Sequence, residues 1–296
     1  MSTSPEEIIN GSCKIKEAIE YSLNNNRPLL ISRHGSFEFQ CVTWKKNINY
    51  PLNDAMMAIL HKNVGIFPRE LKSMEEWLEL YWQSSCESDG IATGWYLPIA
   101  LDEKKLVEKY NSSAFQFPLR SLESYYVEPE NRWTSLFADR RVTVVSSFAK
   151  TMEEQVLKAK DIWNADADSL LPPTTKWSFI RSYYPPDITL KSTAWPFGIK
   201  SWKDAVNYIV ENVEKTNPEI VLIGCGGLAL PAAAELKKRG CIVIVMGGAI
   251  QVLFGIKGGR WKNHAIISQF WNNHWVYPKS DETPSHAGSV ENKCYW

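Results

Sequence analysis

Four short runs of apolar, mostly β-branched residues punctuate the chain and end in Gly, Ser or Met: Pro28 to Ser32, Arg141 to Ser147, Ile220 to Gly224 and Cys241 to Met246. They are nearly continuous rather than alternating, the pattern of strands covered on both faces. Weaker runs of the same kind lie at Gly90 to Trp95 and Trp177 to Tyr183. Between them fall segments with apolar residues at helical spacing. Cys13 to Asn24 is amphipathic. Ser73 to Ser84 opens on a Ser ahead of Glu75 and Glu76, close to a capping box. Thr151 to Trp163 has Glu153 and Glu154 in its first turn, where they suit the helix dipole. Ser201 to Thr216 has Ser201 as N-cap, and Ala229 to Arg239 stops at Gly240, a C-terminal signal. Repeated strand-then-helix units predict an α/β, Rossmann-like fold with a mostly parallel sheet and helices on both faces.

A single α/β domain over 1–296 is expected, with loop-rich excursions at 164–200, where Pro172-Pro173, Pro185-Pro186 and Trp195-Pro196 fall, and an irregular aromatic tail over 261–296. There is no internal repeat. Composition changes little: apolar residues make 44% and charged residues 22%, which is ordinary globular chemistry. Charge is more informative. With 33 basic and 33 acidic residues the chain has no net field, so a nucleic-acid partner is not expected. No apolar run is long enough for a transmembrane segment, and the N-terminus lacks a secretory pattern. The six cysteines are scattered without a C-x-x-C pair, as reduced thiols in a cytoplasmic protein would be. Thirteen tryptophans can fill cores or stack on sugar rings.

Candidate chemistry gathers where strands end, because ligands of open α/β sheets bind beyond the carboxyl ends of the strands. The first exit, ISRHGSFEF, supplies Arg33, His34, Gly35, Ser36 and Glu38. Glu38 is a candidate base, metal ligand or sugar anchor, against the plainer reading of a capping carboxylate. The middle exit offers Ser146, Ser147 and Thr151, which cap a helix or bond a phosphate. In IVLIGCGGLALPAAAELKKRG, Gly224, Gly226 and Gly227 with Ala229 satisfy G-x-G-x-x-A. The acidic residue expected at the end of the next strand is missing, which counts against a nicotinamide or S-adenosylmethionine cofactor. Tight strand–helix packing explains the same glycines. The last exit runs MGGAIQVLFGIKGGRW. Gly247, Gly248 and Gln251 follow the strand, and Lys257 and Arg260 in a Gly-rich loop form a candidate phosphate clamp. Nucleophile-elbow, P-loop and paired-histidine metal motifs are absent.

Together these blocks resemble the GT-D fold glycosyltransferases. SRHGSFEF is similar to that family's Arg-x-Gly-Asp-Gly-Glu segment, RRVTVVSSFAKTMEEQ to its strand-and-helix segment, and residues 220–261 to its strand–Gly–helix–strand–Gly-Gly segment. The third block and Cys294-Tyr295-Trp296 look most like an uncharacterised bacterial and viral subgroup. The resemblance implies a GT-D type fold and transfer of a sugar, UDP-linked by expectation, from a nucleotide-sugar donor to a glycan or glycoconjugate acceptor. Arg33, His34 and Glu38 would then be catalytic. Gly35, Ser36, Ser146, Ser147, Thr151, Gly224, Gly226, Gly227, Gly247, Gly248, Gln251, Lys257 and Arg260 would hold the donor. It also implies a divalent cation, Mn2+ or Mg2+, on Glu38. Ser36 stands where the family has Asp, however, and one carboxylate is a poor ligand set for a hard cation. Two other classes remain open: a non-catalytic nucleotide- or glycan-binding protein, and an S-adenosylmethionine- or nicotinamide-dependent enzyme using the Gly224 to Gly227 turn.

Overall fold

Every strand among the described residues runs in one direction. In the computed structural model, which describes residues 3–48, 50–189, 192–290 and 293–296, the chain runs α1 (Pro5–Asn25), β1 (Leu29–Arg33), α2 (Ser36–Ile48) and α3 (Asp54–Ile59). A π-helical turn follows at Leu60–Val64, then α4 (Leu71–Cys86), β2 (Gly90–Ala92), α5 (Ala100–Tyr110) and β3 (Phe115–Phe117). A string of 3-10 turns leads to β4 (Arg141–Ser146), α6 (Ala149–Val156), α7 (Ala159–Trp163), α8 (Ala167–Leu170) and β5 (Lys176–Arg181). The last third holds α9 (Trp202–Lys215), β6 (Ile220–Gly224), α10 (Ala229–Lys238), β7 (Ile242–Val245), α11 (Ala249–Leu253) and a tail of 3-10 turns. Leu190 and Lys191 of the expected loop excursion, and Glu291 and Asn292 of the expected tail, lie outside the described residues.

The sheet has seven strands in the order β3-β2-β1-β7-β6-β4-β5, all parallel. This is the α/β, Rossmann-like architecture that the pattern predicts. The continuous apolar strands serve two cores at once, because successive side chains point to opposite faces. Val221, Ile223, Val243 and Val245 enter the core roofed by α2, α4, α9 and α10. Ile220, Leu222, Ile242 and Ile244 enter the other, with Ile15 and Ile19 of α1, Met152 of α6 and Leu253 of α11. No helix of the described residues is long and apolar enough to cross a membrane, and the six cysteines stand as thiols outside any disulfide.

Several helix ends follow the sequence. Ser201 accepts from the Asp204 N–H as the N-cap of α9. Gly240, at φ 92°, closes α10 with two bonds, Gly240 N–H to the Lys237 carbonyl and Cys241 N–H to the Leu236 carbonyl. That is a Schellman motif, which needs the left-handed conformation at this residue. Three expected starts are corrected. Helix α1 begins at Pro5, not at Cys13, with Ser4 as its N-cap. Helix α4 begins at Leu71, not at Ser73. Ser73 lies inside it and receives the Trp202 indole N–H on its carbonyl and hydroxyl oxygens, at 3.0 and 3.1 Å. Helix α6 begins at Ala149, two residues before Thr151, and the expected helix to Trp163 breaks after Val156. The break turns Ile162 and Trp163 into the core, where the Trp163 indole donates to the Leu253 carbonyl.

The cap of α6 comes from the far end of the chain. Glu282, fully buried, accepts from the Lys150 N–H at 2.8 Å, from the Thr151 N–H at 3.2 Å and from the Thr151 hydroxyl. A carboxylate at a helix N-terminus meets both unpaired N–H groups and the positive dipole end. It pins the tail to the middle of the sheet, with Lys150–Asp281 and Lys279–Glu154 ion pairs on the rim.

Burial raises the Glu282 carboxyl above its ordinary value, against the hydrogen bonds from Thr151 and Lys150 that oppose the rise. A carboxyl with a raised folded-state pKa binds its proton more readily in the folded protein. Its contribution to stability therefore falls as pH rises from the ordinary carboxylate pKa through the folded one. Glu282→Gln removes this titration. Thermal unfolding from pH 4 to 8 should show wild type losing stability with pH relative to the variant, and parallel curves would contradict the assignment.

Candidate functional site

All seven strands point their carboxyl ends at one edge of the sheet, and the exits of β1, β4, β5, β6 and β7 surround a cavity of about 440 Å3. That is the size of a small-molecule or cofactor site. Arg33, Gly35, Ser36 and Glu38 reach it from the β1 exit, Ser146 and Ser147 from β4, and Gly224 and Gly226 from β6. Gly247, Gly248, Gln251 and Arg260 reach it from beyond β7. Twelve expected site residues thus share one cavity, from four separate stretches of chain.

Arg33 is held on three sides. Its Nε and Nη2 donate to the His34 carbonyl at 3.1 and 2.9 Å, and its guanidinium lies 4.4 Å from the centre of the Trp95 ring. The third side is Gly247, at φ +59°, where a Cβ would come within 2.9 Å of Arg33 Nη1. A stacked, hydrogen-bonded guanidinium is a preoriented anion ligand. Glu38 lies in the first turn of α2. Its carboxylate folds back over Gly35, where a Cβ would stand 1.9 Å from Glu38 Oε2, so only glycine admits this side-chain position. The Gly35 N–H donates to the Tyr81 hydroxyl at 3.1 Å. Burial, and then the charge of Glu38, push the Tyr81 ionisation well above its ordinary value, so this cavity hydroxyl stays protonated.

The remaining expected residues lie elsewhere. His34 is fully buried behind the cavity wall. Its Nδ1 is 2.7 Å from Glu103 Oε1 and its Nε2 is 2.6 Å from Ser85 Oγ, while its ring stacks on Phe39. The order Ser–His–acid is that of a nucleophile relay, but all three groups are buried and none lines the cavity. Glu103 Oε2 accepts the Gly94 N–H at 2.8 Å, next to the Trp95 that stacks on Arg33. The relay therefore ties the β1 exit to the β2 exit and fixes both partners of the Arg33 clamp. Thr151 is occupied by Glu282, so this helix N-terminus is filled by the protein's own carboxylate. Gly227 packs under the wall: a Cβ would stand 2.4 Å from Val64 and 2.9 Å from Ile66 and Trp77. Lys257 points its ammonium to the Trp271 ring, 5.6 Å from its centre.

The cavity also takes residues that local sequence did not single out. Lys62 and Asn63 come from the π-helical turn, Trp95 from beyond β2, and Tyr183 and Tyr184 from beyond β5. Trp95, Tyr183 and Tyr184 follow strand exits, and applying the exit rule to the two weaker strands would have found them. Nothing in the sequence around Lys62 signals its place, which is set when His61 bonds the Ile66 carbonyl and Asp187 at 2.7 and 2.8 Å. Cys225 also lines the cavity, but burial pushes its thiol up to about 12, so it is no thiolate nucleophile at neutral pH. Of the thirteen tryptophans only Trp95 and Trp296 line the cavity, and most of the others are core.

Among the described residues the charged lining is Arg33, Lys62 and Arg260 against the carboxylate of Glu38. That balance suits an anionic ligand. It does not suit a resident divalent cation. Glu38 has only neutral Ser36 where a second carboxylate is needed, and among the described residues no group of three or more His, Cys, Asp or Glu could hold a metal ion.

Fold and site thus define a parallel α/β protein with an anion-compatible cavity at its strand exits. No family model, curated protein or solved structure significantly matches the chain.

Glu103→Gln should disturb the Arg33 clamp through the buried relay. An amide cannot replace the carboxylate toward both His34 and Gly94 without leaving a buried group poorly paired, at a cost of about 1–3 kcal/mol. Denaturant unfolding should register that loss. A wild-type midpoint would contradict the role given to Glu103.

Proposed function

We propose that the protein is a glycosyltransferase that takes a nucleotide-sugar donor, UDP-linked in the first instance, and passes its sugar to a hydroxyl of a glycan or glycoconjugate acceptor. One observation supports this above the others: among the described residues, Arg33, Lys62 and Arg260 surround the same cavity that the Glu38 carboxylate lines. The three cations supply what a leaving diphosphate requires, and the carboxylate supplies what an acceptor hydroxyl requires. In the reaction the acceptor oxygen forms a bond to the anomeric carbon and its proton passes to Glu38. The bond from that carbon to the diphosphate breaks, and its electron pair leaves with the nucleoside diphosphate. Arg33, already stacked and hydrogen-bonded, meets the growing negative charge with little reorganisation. Among the described residues Glu38 is the one carboxylate that lines the cavity, and no step is assigned to a metal.

The glycine turn supports the dinucleotide reading less well. Gly227 is committed to packing, and a Cβ on Gly226 would stand 2.8 Å from the Val64 carbonyl oxygen. Gly226 holds the place where a dinucleotide-binding turn leaves its backbone open to the pyrophosphate.

Isothermal titration with UDP, GDP and their sugars, with and without Mn2+, tests the reading. Binding of one nucleotide set is expected. Glu38→Gln should keep that binding and lower release of free nucleoside diphosphate from the sugar donor by about 10²-fold, the scale of a lost acid–base group. No binding at millimolar nucleotide, or full turnover in the variant, would contradict it.

A further inference from the structure

Two buried polar atoms of opposite sense lack partners at the tail side of the cavity. Gln251, 1% exposed, donates both N–H groups of its Nε2, to the Lys257 carbonyl at 2.8 Å and to the Tyr295 carbonyl at 2.7 Å. Those two bonds fix the amide's orientation, since a flip would set its oxygen against two carbonyl oxygens. The Oε1 is left buried with no hydrogen-bond partner among the described residues. The indole N–H of Trp296 is likewise buried and unpartnered. Both residues line the cavity.

Folded proteins rarely leave such atoms unpaired, because each forfeits its hydrogen bond to water. An acceptor and a donor together ask for a ligand group that presents one N–H and one acceptor atom. The surroundings narrow the choice to a flat one. The Trp296 ring lies 6.2 Å from Phe148, 6.0 Å from Tyr184 and 5.8 Å from Tyr295, ring centre to ring centre. Tyr184, Phe148 and Tyr295 line the cavity too. Aromatic walls with a hydrogen-bond donor and acceptor suit a nucleobase, which offers a π-face and a polar edge at once.

Resting on the glycosyltransferase reading, we infer that Gln251 and Trp296 form the base subsite of the donor, with Gln251 Oε1 accepting an N–H and the Trp296 indole donating to a ring carbonyl or nitrogen of the base. For uracil these are the N3–H and a neighbouring carbonyl oxygen. The sugar diphosphate then extends from this subsite across the cavity toward Arg33 and Lys62. Specificity for a base over a bare diphosphate follows from the two atoms that only a base pairs.

The test is titration of wild type, Gln251→Leu and Trp296→Phe with UDP, GDP and inorganic pyrophosphate. Trp296→Phe keeps an aromatic ring and removes the indole donor. It guards against loosening of the tail in Gln251→Leu, which also gives up the bonds to Lys257 and Tyr295. Wild type should bind its preferred nucleotide about 10-fold or more tighter than pyrophosphate. Each substitution should weaken that nucleotide roughly 5- to 10-fold, the scale of one lost hydrogen bond, and leave pyrophosphate unchanged. Pyrophosphate binding as tightly as the nucleotide, or nucleotide affinity unaffected by Trp296→Phe, would overturn the subsite while leaving the proposed function standing. Failure of every nucleotide to bind wild type would overturn both.

Discussion

A sheet whose strands all run one way must end all of them at one edge, and the rest of this molecule follows from that constraint. Parallel pairing leaves no hairpins, so each connection has to cross a face of the sheet. The crossings cover both faces, which is why Ile220 to Ile223 and Ile242 to Val245 are apolar at every position and divide between two cores. At the carboxyl edge the chain leaves each strand with unpaired backbone groups and a change of direction. Arg33, Ser146, Gly224 and Gly247 stand at those departures.

The cavity is held in shape by atoms that never enter it. Ser85, His34 and Glu103 connect the β1 and β2 exits from behind, so that Trp95 and the His34 carbonyl meet Arg33 from two directions. Glu282 fills the N-terminus of α6 and brings the tail back across the sheet. That return lets Tyr295 and Trp296 close the side of the cavity beyond β7. Positions far apart in sequence are thereby one unit, and buried carboxylates do the joining. Such groups are stable only when hydrogen-bonded, and both Glu103 and Glu282 have each oxygen engaged.

The sequence made the sheet legible because a strand buried on both faces has a strong local signature. The bounds of β1, β4, β6 and β7 fall within a residue or so of the expected ones. The three-residue β3, Phe115–Phe117, is too short to show a period, and α2 is only weakly amphipathic, so both passed unnoticed. Thr151 looks like an N-cap because Thr before two Glu is the usual signal, and nothing nearby reveals that Glu282, more than a hundred residues on, takes that place. For the site, strand exits located Arg33, Glu38 and Gln251. Lys62 was invisible because its position depends on tertiary bonds of its neighbour His61. His34 and Lys257 have the chemistry of site residues, but their side chains turn to Glu103 and Trp271 instead.

One anionic ligand is expected where the exits of β1, β6 and β7 meet. A crystal soaked with UDP at saturating concentration tests it most directly. Electron density for a diphosphate is expected between Arg33, Lys62 and Arg260, in the cavity that Glu38 also lines. Density at another face of the molecule, or a cavity unchanged by the soak, would contradict it.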